Sequence, residues 1–121
     1  MKLEKLPYTL TVAKAKKISD FNIHSEFFFL GKTDEEISIV SKTEDTPKTV
    51  LEREDGWRAF RIASVLDFSL VGILSAITAI LAENGIGIFA VSTFNTDYIL
   101  VKDDNFEKAA KALEEAGYEI I

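Results

Sequence analysis

The chain has 121 residues, 47% hydrophobic and 28% charged with only two prolines, a composition that places it among globular proteins and excludes a disordered one. A net charge of −6 and a pI near 4.8 argue against a phosphate backbone or an anionic membrane as partner. The lack of cysteine excludes disulfides and thiolate metal sites.

In chain order, Met1 to Pro7 lacks the apolar run of a secretion signal, which leads us to expect a cytoplasmic protein. Strand-like segments follow at Tyr8 to Ala13, Glu26 to Leu30 and Glu36 to Val40; Gly31 to Glu35 reads as a hairpin turn between the last two. Lys14 to Lys17 is an irregular basic stretch, and Ser41 to Pro47 a polar connection before a fourth strand near Val50 to Arg53. No amphipathic helix of ten residues stands out in this half. A β-rich unit of roughly 55 residues buries only about 60% of its unfolded surface, so residues 1–56 are expected to lean on the rest of the chain.

Residues 57–121 have another texture. Trp57 to Ser64 alternates like a strand. Leu70, Ile73, Leu74, Ile77, Ile80 and Leu81 then recur at helical spacing, with Ser69 as the expected N-cap and Asn84-Gly85 as the stop. Ile86 to Phe94 and Tyr98 to Val101 are rich in β-branched and aromatic residues, and Asn95-Thr96-Asp97 between them has turn composition. A second helix is expected from Asp104, in a capping box with Glu107, with Phe106, Ala109, Ala110 and Leu113 on one side and Gly117 as its end. Tyr118 to Ile121 closes the pattern. The order is βαββαβ, a ferredoxin-like α+β arrangement with both helices on one sheet face. The longest mainly apolar segment, Phe68 to Leu81, is too short to span a bilayer.

Catalytic and metal signatures are weak. His24 is the only histidine and sits beside Ser25 and Glu26 in a connecting segment, where a surface loop is the expected reading. The acidic runs Asp34-Glu35-Glu36 and Glu52 to Asp55 lack the spacing of a cation loop and read as solvated turns. Gly85-Ile86-Gly87 lies between a helix and a strand, the reverse of the place a dinucleotide fingerprint requires. We therefore expect no catalytic residue, no metal and no cofactor.

Physics does single out the turn before the first helix. A helix N-terminus offers N–H groups without intrahelical acceptors and a partial positive charge, and amides around Leu70, Val71 and Gly72 suit a carboxylate. Gly72 lets a ligand approach the backbone. The fold carries the end of the first strand, with Asp67, toward the end of the second, where Thr93, Phe94, Asn95, Thr96 and Asp97 lie. Acceptors there suit an ammonium group, so the pair of elements matches a free α-amino acid. The plainer reading is that Asp67 and Ser69 cap the helix and Asn95 to Asp97 turn the hairpin.

Leu66-Asp-Phe-Ser-Leu-Val-Gly-Ile-Leu74 together with Leu81 to Val101, which contains Ile-Phe-Ala-Val-Ser-Thr-Phe-Asn-Thr-Asp-Tyr-Ile-Leu-Val, resembles the ACT domain. More narrowly it is similar to small tandem-ACT proteins, related to the ACT halves of cytosolic arginine sensors and of aspartate kinases. The resemblance reaches back through Phe27 to Leu30 and Asp34 to Val40, which implies that the first half is an abbreviated ACT-like unit. It implies a regulatory protein that binds an amino acid or similar metabolite between paired domains, with Asp67, Phe68, Ser69, Leu70, Val71, Gly72 and Ile73 on one side and Thr93 to Asp97 on the other. Val71 stands where this family's turn often has Thr, and Asn95 where Asp is common.

A homodimer is expected, because Ile86, Ile88 and Ala90 on one face of the second strand and Phe89 and Val91 on the other both want cover. A regulated protein partner is the expected output. The alternative is a structural or interaction module that uses ACT pairing without ligand. RNA-recognition motifs share the element order, but Ile86 to Val101 contains no lysine or arginine, which argues against nucleic acid.

Overall fold

The computed structural model describes residues 1–63 and 71–121, and within them the chain forms eight strands and two α-helices. They fall into two compact units, Met1–Pro7 with Arg58–Ile121, and Tyr8–Trp57. The expected halves met at 56/57; the first seven residues instead group with the C-terminal unit.

The discontinuous unit begins with β1 (Lys2–Lys5), a strand absent from the sequence reading. Only Leu3 and Leu6 carry its apolar signal before Pro7, too short a run for alternation to register. β1 runs antiparallel to β5 (Glu52–Ile62), with Leu3 opposite Ile62 and Lys5 opposite Phe60, and parallel to β8 (Glu119–Ile120). Backbone bonds from Lys5 N–H to Ile121 C=O at 2.8 Å and from Ala63 N–H to Lys2 C=O at 3.0 Å secure both edges. The βαββαβ run is present as β5, α1 (Ile73–Glu83), β6 (Phe89–Ser92), β7 (Asp97–Lys102), α2 (Asp103–Glu115) and β8. β7 lies between β5 and β6, as the split βαβ demands, while β1 is interposed between β5 and β8. The expected last strand therefore does not pair directly with the first.

Both helices bury the faces read from their periodicity. Ile77 and Leu81 of α1, and Phe106, Ala109, Ala110 and Leu113 of α2, join Leu3, Phe60, Ile62, Ile99 and Val101 from one sheet face. Each large apolar side chain here contributes roughly 1.5 to 3 kcal/mol. The Phe60 and Phe106 rings stack at 4.6 Å, and the Arg58 guanidinium lies 4.2 Å from the Phe106 ring centre. α1 closes in a Schellman motif: Gly85, at φ 70, donates to Ala82 C=O, and Ile86 donates to Leu81 C=O. The α2 end repeats it through Gly117 and Tyr118. The capping box at Asp104 does not form. α2 starts one residue earlier, with Lys102 as an N-cap that makes no side-chain bond and Asp103 and Asp104 as first-turn acids favoured by the dipole.

The second unit contains β2 (Leu10–Lys14), β3 (Phe28–Lys32), β4 (Ile37–Lys42) and the first residues of β5, in the order β3-β4-β2-β5. The fourth strand expected near Val50 to Arg53 and the strand expected from Trp57 are thus one continuous strand of 11 residues. Numbered along the chain, this order is that of a βαββαβ sheet, with 3-10 turns at Ile18–Asp20 and Thr43–Asp45 in the places of the helices. This half thus repeats the strand order without α-helices.

The two hairpins are copies offset by sixty residues. Phe29 pairs with Val40 and Lys32 with Ile37; Phe89 pairs with Leu100 and Ser92 with Asp97. In both turns a threonine N–H donates to the carbonyl three residues on, Thr33 to Glu36 and Thr93 to Thr96, each at 2.9 Å.

Candidate functional site

One flank of the candidate site is the start of α1. Asp67, Phe68, Ser69 and Leu70 lie outside the described residues. Val71 is 89% exposed, and Gly72 is the N-cap at φ 80 and ψ 0, with no side-chain cap bond. Only glycine takes that left-handed conformation at little cost. The expected cap at Ser69 therefore lies before the observed start. Ala76 N–H donates to Gly72 C=O at 2.9 Å, so the amides without an intrahelical acceptor are those of Ile73, Leu74 and Ser75, one turn beyond the Leu70 to Gly72 set expected from sequence. Ile73 is half-buried against the core, and the first turn has no acidic residue to oppose an anion.

The other flank is the β6–β7 turn. Thr93 uses its N–H and its hydroxyl on the same Thr96 carbonyl, at 2.9 and 2.8 Å. Phe94, at the tip, is 82% exposed, and Asn95 is exposed. Thr96 is only 8% exposed, and its hydroxyl donates to Ile62 C=O at 2.8 Å. The turn is thereby fastened to the end of β5, the strand that leads toward α1. Sequence reasoning placed Thr96 among the ligand contacts; the structure commits its hydroxyl to the protein, and nothing in the turn composition signalled the bond across to Ile62. Asp97 is half-buried and shares its sheet face with Ile99 and Val101, the face that carries the helices.

The nearest basic side chain in β5 looks the other way. Arg61 alternates with the core residues Phe60 and Ile62; its Nη1 donates to the Tyr98 hydroxyl at 3.5 Å, and its Nε and Nη2 donate to Glu4 at 3.2 and 3.1 Å. The Tyr98 hydroxyl and the Glu4 carboxylate raise the Arg61 pKa above its ordinary value against partial burial. From Ala63 to Val101 the sequence has no lysine or arginine. The α1 start thus presents main-chain donors, and the β6–β7 hairpin a half-buried carboxylate at Asp97.

Elsewhere, the His24 N–H bonds Asn22 Oδ1 within an exposed loop, and Ser25 donates its hydroxyl to Asp45 at 3.0 Å. Among the described residues no group of three or more His, Asp or Glu side chains is placed to hold a metal ion, and no helix is long and apolar enough to cross a membrane.

Comparison with known proteins supplies the family. The ACT domain model matches residues 52–115, which span β5, both helices and both flanks just described. The fold is similar to the crystal structure of an Agobacterium tumefaciens protein with a TM-score of 0.85 and 32% identity, over 99% of this chain and 91% of that one. It is also similar to a Vibrio cholerae protein of unknown function, described as a possible transport protein, at TM-score 0.74 and 18% identity over 93% and 86% of the two chains. The allosteric aspartate kinase of Clostridium acetobutylicum shares the fold at TM-score 0.63 and 14% identity, over 94% of this chain and 33% of that longer one. No curated protein sequence matches. A family match over more than half of the residues, together with the Agobacterium structure along almost the whole length, establishes that the chain belongs to the ACT domain family.

Proposed function

We propose that this protein senses a free α-amino acid at the α1 start and the β6–β7 turn, and passes the signal on by changing its association with another protein. ACT domains are regulatory ligand-binding modules that pair with one another, which supports the general reading. The observation that carries the finer one is the family match across both flanks, where amides of Ile73 to Ser75 stand ready for a carboxylate and Asp97 for an ammonium. The N-cap Gly72 has no side chain with which to cap the helix, so a bound carboxylate can take the place a capping side chain otherwise fills. Signalling requires that the amino acid bind one assembly state more tightly than another, and a homodimer that pairs ACT units supplies such states.

Calorimetric titration of the full chain with each of the twenty amino acids tests this reading. Saturable heat from one or a few is expected. Silence across the panel, with no rise in melting temperature, contradicts it and leaves the alternative of a pairing module without ligand.

A further inference from the structure

The two hairpins differ at one informative place. They share register and the same threonine-led turn, yet position 36 of the first holds an exposed glutamate where position 96 of the second holds a buried threonine bonded to Ile62 C=O. The Thr33 hydroxyl serves only its own turn, accepting from the N–H groups of Glu35 and Glu36 at 3.1 and 3.2 Å. This hairpin geometry therefore forms without any bond from its fourth turn position to a neighbouring strand. Hairpin formation does not explain the Thr96 bond.

We infer that Thr96 is a positioning residue: its hydroxyl locks the β6–β7 tip to the end of β5, and so fixes the hairpin flank of the site on the sheet. The inference rests on the sensing reading and assigns Thr96 a different role from ligand contact. The geometry favours it on three counts. The hydroxyl is spent on a main-chain acceptor, the residue is more than nine-tenths buried, and Ile62 is the last residue of the strand that leads toward α1. Thr93 completes the lock from within the turn, since its hydroxyl and N–H both hold the Thr96 carbonyl. A site framed by two separately folded elements needs such a tie, because small displacements of either flank weaken every contact at once.

Two variants of the full chain test it. Thr96→Val keeps the shape and removes the donor; Thr96→Ser keeps the donor. Amide hydrogen exchange and calorimetric titration with the twenty amino acids are measured for each. We expect Thr96→Val to speed exchange at the Thr93 amide while the equivalent Thr33 amide is unchanged, and to weaken the amino acid that wild type binds by roughly tenfold, the worth of one positioning hydrogen bond. Thr96→Ser should restore both. Unchanged exchange in Thr96→Val, or faster exchange with undiminished affinity, overturns the inference while the sensing reading stands. A wild-type chain that binds none of the twenty overturns the sensing reading and the positioning role with it.

Discussion

Gly72 shows how much a single residue decides here. At φ 80 it starts α1 from the left-handed region, and a Cβ built there meets no atom of the described residues within 4 Å. A substitution is therefore strained in backbone but not blocked by the described residues, at a cost of about 1 to 2 kcal/mol. On the proposed reading, a side chain added at Gly72 competes with the ligand for the first amides of the helix. Gly72→Val should lower stability by about that much in denaturant unfolding and abolish amino-acid binding; unimpaired binding would place the ligand elsewhere. The sequence reading took Ser69 as the helix start because local propensity favours serine at an N-cap, whereas the helix starts after Gly72. What decides between them is a backbone conformation, which residue type permits but does not announce. The same limit applies to Thr96, whose composition says turn and whose partner lies 34 residues away.

At the scale of elements, the helices were the most legible part. The buried set of α2, Phe106, Ala109, Ala110 and Leu113, is the set its periodicity named, because a 3.6-residue repeat sustained over three turns leaves little room for another reading. β1 was illegible for the opposite reason: it has four residues, and its place between β5 and β8 follows from sheet topology and not from any local pattern. Its contribution is nevertheless large. Leu3 is fully buried in the core shared by both helices. Leu3→Ala should cost about 2 to 5 kcal/mol, the range for a buried leucine. A loss below about 1 kcal/mol in chemical denaturation would mean that β1 is peripheral to the unit.

At the scale of the whole molecule, the duplicated hairpins fall in two units of unequal completeness. Only the C-terminal unit keeps both α-helices, and with them the helix start on which the proposed site depends. The resemblance carried by Leu66 to Leu74 and Leu81 to Val101 identified this family from sequence, and its described part, Leu81 to Val101, runs from the end of α1 through the β6–β7 hairpin inside the matched region. The strand order of the first half was less legible, because two 3-10 turns replace the helices whose periodicity would have marked it. We expect a homodimer from the ACT habit of pairing; sedimentation equilibrium should return twice the 13.5 kDa chain mass, and a monomer at all concentrations would refute the dimer.

We propose that a free amino acid binds between the α1 start and the β6–β7 turn. The most direct measurement is an amide-resolved NMR titration of the full chain with the amino acid that gives heat. The largest shifts are expected at Ile73, Leu74 and Ser75 and at Asn95 to Asp97, with Thr33 to Glu36 of the equivalent hairpin unmoved. Shifts confined to other parts of the chain, or none at saturating concentration, would contradict it.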